Sequence, residues 1–161
     1  MELRIQFARR PDGNVILRCT RKDNSVTWQR YDKHSAFFAL HDLTHFAVET
    51  VLGLHHGFFG LLADGWDITD TSSKEKRSAL PVGSLVAEQV VGLFSGERSG
   101  GAPPLSAAAF NANIEQMTGL NLEQPFTELQ LTAVRNRIAD LHRQWAATPP
   151  GATFDLIYEE S

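Results

Sequence analysis

Over the first thirty residues of this chain apolar side chains alternate with polar ones, and this pattern, followed by helical repeats, constrains the fold more than any other feature. Alternation runs from Glu2 to Arg10, resumes from Val15 to Cys19 after an Asp12-Gly13 turn, and returns from Val26 to Arg30. A period of two is typical of strands with one buried face, and Asp-Gly favours a tight hairpin turn. The region predicts a meander of antiparallel strands.

Helical patterns dominate the rest of the chain. From Ser35 to Leu54 there is no proline, the first glycine is Gly53, and an apolar stripe predicted to pack on the sheet is formed by Leu40, Leu43, Ala47, Val51 and Leu54. Further helices are predicted at 58–63, 82–94, 106–117 and 127–145, with loops at 64–77 and 99–104 and a helix end at Gly96.

The last residues return to alternation, so that 153–158 predict a fourth strand on the N-terminal sheet. The predicted fold is α+β, with an N-terminal antiparallel sheet of three or four strands covered by about four helices. A length of 161 residues suits a single domain that buries its core without disulfides. The lone Cys19 has no intramolecular partner and Met1 to Arg10 has no apolar signal core, which favours a cytoplasmic protein.

Charge and hydropathy argue against two classes of partner. The formal net charge of -4 leaves no basic surplus to neutralise phosphates, so we do not expect a nucleic-acid binder. The most apolar stretch, residues 48–63, is interrupted by Glu49, histidines and glycines, and it falls short of the roughly 20 apolar residues that cross a membrane. The expected substrate is therefore a small molecule or a peptide, and the sequence is compatible with a homo-oligomer.

Histidines and carboxylates concentrate between Lys33 and Lys74, where the sequence has no lysine or arginine. The interval holds five of the six histidines, whereas an ordinary solvated helix face also carries lysine or arginine. His41 and His45 are one helical turn apart, and so are His45 and Glu49. We expect this stripe to be at least partly buried, where imidazoles need partners and metal ligation is one way to satisfy them.

The run His41-Asp42-Leu43-Thr44-His45 resembles the motif of zincin metallopeptidases, in which two histidines one turn apart bind zinc and a glutamate follows the first. The resemblance implies that His41 and His45 bind a divalent metal, most readily zinc, and that Asp42 stands in the place of the general base. Asp42 is one methylene shorter than the glutamate of that family. The function it implies is that of a metal-dependent hydrolase.

A zinc site of this kind needs a third protein ligand. Glu49 lies roughly 12 Å along the helix from His41, so we predict that it supports a ligand and group it with Asp42 as a candidate catalytic residue. If the chain folds back after Gly53, His55 or His56 can complete a three-histidine site, and these are the preferred third ligands. The competitors are Asp64, Asp67 and Glu88, the last because zincins take this ligand from outside the motif helix.

Two other interpretations stay open. His41-Asp42 is also similar to the metal-binding dyad of His-Asp phosphohydrolases, with further ligands at His34, His56 and Asp64, but that family is all-helical and the strand pattern favours the zincin comparison. Alternatively, the protein is a non-enzymatic binding or assembly protein in which the histidines and Glu49 hydrogen-bond to each other as buried polar packing.

Overall fold

The computed structural model describes residues 1–73, 79–101 and 103–160, and its strands form one antiparallel sheet. The strand order is β3-β2-β1-β4, so the C-terminal strand pairs with β1 at the edge opposite β3. The strands are β1 (Glu2–Arg9), β2 (Val15–Arg21), β3 (Val26–Tyr31) and β4 (Thr153–Glu159). The predicted meander and its fourth strand are confirmed.

The alternation of the first two strands places one face of the sheet in the core. Leu3, Ile5 and Phe7 of β1 and Leu17 and Cys19 of β2 are completely buried, whereas the residues between them are more exposed. The hairpin between these strands contains Gly13 in the left-handed region, at a φ of 86°. The α+β fold class predicted from the sequence is therefore the one observed.

The described residues form four long helices and two short ones. Side-chain caps begin α5 and α6, because Ser106 accepts a hydrogen bond from the Ala109 backbone and Thr127 forms a capping box with Gln130. The helices are α1 (Ser35–Leu52), α2 (Phe58–Ala63), α3 (Ile68–Ser72), α4 (Gly83–Gly100), α5 (Ala107–Thr118) and α6 (Glu128–Ala146).

The structure corrects two predicted boundaries. The loop predicted at 64–77 contains α3, and its end lies outside the described residues, as does residue 102 of the loop predicted at 99–104. Helix α4 continues through Gly96 to Gly100 instead of ending at Gly96. A glycine in a helix costs only about 1 kcal/mol relative to alanine, and the buried side chains of Val91 and Phe94 hold α4 in the core.

Helix α1 packs against β2, β4, α2, α4 and α6, so its middle is enclosed on several sides. Residues 42–49 are all buried, and they include Asp42, His45 and Glu49 as well as apolar neighbours. Leu40, which the predicted apolar stripe places on the sheet, is 37% exposed instead. Among the described residues, no helix is long and apolar enough to cross a membrane.

Candidate metal centre

Two helices bring together the side chains of the candidate site. His41 and His45 lie one turn apart on α1, and Glu88 reaches them from α4, which packs beside it. One ligand atom from each of the three side chains lies within 4.8 Å of the other two. Two imidazole nitrogens and a carboxylate oxygen are a donor set that divalent transition metals accept.

The orientation of the His45 ring is fixed by Glu49. Its Nδ1 atom lies 3.1 Å from Oε2 of Glu49, and its Nε2 atom lies 3.5 Å from Oε1 of Glu88. Because the carboxylate accepts, Nδ1 carries the hydrogen of the first contact, and Nε2 faces Glu88. A histidine that donates from one nitrogen to a carboxylate and presents the other to a metal is a recurrent arrangement in metalloproteins.

Glu49 is itself held by the start of α2. Its Oε1 accepts a hydrogen bond from the Gly60 backbone at 3.0 Å and its Oε2 accepts one from the Phe59 backbone at 3.3 Å. The carboxylate is completely buried, so these donors and His45 replace the water it loses. Gly57 allows the close approach, because a Cβ atom there would lie 2.2 Å from Cδ of Glu49.

The two imidazoles differ in their electrostatic surroundings. Burial lowers the pKa of His41, and the charge of His45 lowers it further, which favours a neutral ring with a free electron pair. Burial also opposes a charge on His45, but its hydrogen bond to Glu49 and the charges of Glu49 and Glu88 outweigh this, and the pKa of His45 is raised. The ring of His41 additionally stacks on that of Phe37, with 5.9 Å between the two ring centroids.

The three side chains open onto a cavity of about 720 Å³, which Asp42 also lines. Asp42 is buried, and its Oδ2 accepts a hydrogen bond of 2.6 Å from the hydroxyl of Tyr31. Burial raises the pKa of Asp42 to about 7, against the opposing effect of that hydrogen bond. A carboxyl group with such a pKa exchanges protons near neutral pH.

The structure brings the predicted residues together only in part. His41 and His45 lie together, but among the described residues the group that they form is completed by Glu88, and the preferred third ligands His55 and His56 are not part of it. The chain does turn at Gly53, yet Nδ1 of His55 lies 3.5 Å from Glu160. His56 lines the cavity and packs on Gly83, at the start of α4.

The remaining candidates lie elsewhere. Asp67 lies 3.8 Å from Arg21, and Asp64 ends α2 outside the three-residue group. The hydroxyl of Tyr31 was not anticipated, since its position next to Asp42 depends on how β3 meets α1.

The arrangement of His41, His45 and Glu88 fits a divalent ion, because their ligand atoms converge beside an open cavity. Comparison of the chain with protein-family models, with curated proteins and with solved structures finds no match.

Proposed function

We propose that the protein is a metal-dependent hydrolase that holds one divalent ion, preferably zinc, on His41, His45 and Glu88. The observation that carries the proposal is the orientation of His45, whose Nδ1 is bound by the buried Glu49 while its Nε2 faces Glu88. Buried carboxylates of this kind fix the ring and increase its basicity toward a metal. Two histidines and one glutamate are a ligand set used by catalytic zinc sites.

Three protein ligands beside a cavity leave coordination positions for water and substrate. An ion bound there would polarise a carbonyl group and promote the ionisation of water. Nitrogen ligands favour zinc over magnesium or calcium, which prefer sets of oxygen atoms. The resemblance of the His41–His45 run to zincins supports the same assignment, since that family also takes its third ligand from outside the motif helix.

Asp42 is the proposed general base. It follows the proposed ligand His41 directly in the chain and lines the same cavity, where a carboxylate can accept a proton from a water molecule. The hydroxyl of Tyr31 holds the carboxyl group in place. Glu49 acts through His45, as a positioning residue.

One observation favours the second candidate, a binding or assembly protein without a metal. His45 is buried with a carboxylate near each ring nitrogen, so a protonated ring is satisfied by Glu49 and Glu88 alone. In that case the histidine and the two glutamates are a charged packing cluster. The two candidates differ in whether the purified protein takes up metal.

The test is the metal content of the untagged protein, measured by mass spectrometry as purified and after dialysis against zinc. We expect close to one zinc per chain, lost in His41→Ala and in the double variant His41→Ala/His45→Ala, and retained in His55→Ala as the matched control. His41→Ala keeps the pair of His45 and Glu49, so its fold should survive, as circular dichroism will check. A wild-type protein that never takes up metal would favour the packing cluster and refute the hydrolase.

A further inference from the structure

The walls of the cavity beyond the proposed ligands are largely apolar. They include Leu61 and Ile68, which are buried, and Phe38, Val82 and Leu85, which are exposed by 38% to 61% at the rim. Apolar side chains exposed around a concave site mark a surface that a ligand covers. A volume of about 720 Å³ is in the range that holds a whole small molecule.

The charges of the lining are equally informative. Among the described residues, none that lines the cavity is a lysine or an arginine. The two carboxylates of the described lining already have partners, because Glu88 faces His45 and Asp42 accepts a hydrogen bond from Tyr31. A charged group on the body of a ligand would therefore lose its hydration against the buried side chains of Leu61 and Ile68 without gaining an opposite charge from the described lining.

From these two observations we propose that the cavity binds an uncharged substrate that has an apolar body and one ester or amide group. The cavity places that group next to the proposed metal. The ester or amide bond of the substrate is inferred from the proposed hydrolase function, whereas its apolar body is inferred from the cavity walls alone. In the reaction the oxygen of a water molecule bonds to the carbonyl carbon. The bond from that carbon to the leaving oxygen or nitrogen breaks, and a proton from the water goes to the leaving atom.

Phosphate esters are the class that the lining disfavours. Sites that transfer phosphoryl groups surround the phosphate oxygens with arginine, lysine or several metal ions. Besides the proposed ion, the described part of this cavity offers histidines as its groups that can carry a positive charge, and they lie next to the carboxylates of Asp42 and Glu88. An acyl substrate develops charge on a single oxygen, which one ion can stabilise.

A matched pair of ligands tests the proposal independently of activity. Octanamide and the monoamide of suberic acid have the same length and the same amide, but the second carries a carboxylate at its far end. In calorimetric titrations of the full-length protein, as purified and after zinc addition, we expect octanamide to bind at least about tenfold more tightly. Equal binding, or tighter binding of the charged amide, would overturn the proposal.

A matched pair of variants locates the binding. Leu85 is 55% exposed at the rim and Leu129 is 84% exposed, and each lies in the first turn of its helix, α4 or α6. Leu85→Asp should weaken octanamide binding by about tenfold, because it places a charge on the apolar wall, while Leu129→Asp should leave it unchanged. An equal effect of both variants, or none at Leu85, would contradict a ligand in this cavity.

A hydrolysis assay separates this inference from the function on which it rests. With zinc present, we expect 4-nitrophenyl octanoate to be cleaved faster than 4-nitrophenyl acetate, and 4-nitrophenyl phosphate to be left intact. Cleavage of the phosphate in preference to the esters would overturn the substrate class and leave a metal hydrolase. If no compound is cleaved while octanamide still binds selectively, the hydrolase is refuted and the apolar ligand class stands.

Discussion

Helix α4 carries two glutamates whose surroundings differ sharply. Glu97, near its C-terminal end, is 11% exposed, and its two carboxylate oxygens accept hydrogen bonds of 3.0 and 2.8 Å from Arg135 of α6. Glu88, near its N-terminal end, is 63% exposed and faces His41 and His45. A guanidinium neutralises Glu97 at every pH of interest, whereas imidazoles can give up their protons and leave Glu88 to a metal ion.

The histidines near the two ends of α4, His45 and His142, also differ in the sign of the charges around them. Near Glu88 and Glu49, hydrogen bonding and negative charge raise the pKa of His45 in spite of burial. His142 of α6 lies in a basic environment, where burial and then the charge of Arg98 lower its pKa. One end of α4 therefore contributes to a group that could hold a cation, whereas at the other end Glu97 is paired with Arg135 and the charge of Arg98 acts on His142.

The largest expected effect comes from removing the charge of Glu88. Loss of a group that supports a metal ligand lowers metal affinity by roughly 10–100-fold. Glu88→Gln should lower the zinc affinity by more than this, because it removes a proposed ligand itself. Competition with a chromophoric chelator measures this affinity. The free energy of unfolding should change by less than about 0.5 kcal/mol, since the side chain is exposed. Unchanged zinc affinity would show that α4 does not supply a ligand.

The next effect is indirect and acts through His45. Glu49→Gln should lower the zinc affinity by about 10–100-fold, because the amide makes the imidazole less basic and orients it less firmly. It should also lower the melting temperature, since the amide NH2 would face the backbone donors of Phe59 or Gly60. Glu88→Gln is the control, because it should lose zinc and keep its stability. A Glu49→Gln protein with normal zinc affinity would contradict the positioning role.

Most of the fold was predictable because short-range patterns determine its elements. The alternation at Leu3, Ile5 and Phe7 identifies the buried face of β1, and the capping residues Ser106 and Thr127 mark the starts of α5 and α6. The prediction was wrong where tertiary packing outweighs local preference, as at Gly96, where the core contacts of α4 sustain the helix.

The candidate site was predictable only within α1. Helical spacing places His41 and His45 on one face, but it does not tell which helix packs beside that face, and so it cannot choose Glu88 over His56. The three-histidine site required a turn at Gly53, and the chain does turn there, yet the direction of the turn brings His55 next to Glu160 and brings Glu49 to the start of α2. Contacts between elements that are distant in sequence decide which side chains lie together in the candidate site.

The other end of α4 should respond in the opposite way to substitution. Glu97→Gln should lower the free energy of unfolding by about 2 kcal/mol, because it leaves the Arg135 guanidinium without its charged partner over the Phe94 ring. Urea denaturation measures this change. Zinc affinity should stay at the wild-type value. If Glu97→Gln weakened zinc binding as much as Glu88→Gln, the two glutamates would not differ in the way that their partners indicate.

The smallest effect concerns the dependence of stability on pH near His142. Its pKa in the folded protein is below the ordinary value of 6.5, so below that pH the unfolded chain binds more protons and the folded state loses stability as the pH falls. Replacing it with glutamine should reduce the loss of stability between about pH 7 and 5 by less than about 1 kcal/mol, because water screens the partly exposed ring. Urea denaturation of both proteins at these pH values measures the difference.

Because Arg98 contributes to the lowered pKa of His142, Arg98→Gln should give part of the same reduction while His142 remains. A steeper pH dependence in His142→Gln would reverse the sign and contradict a basic environment at this end of the helix.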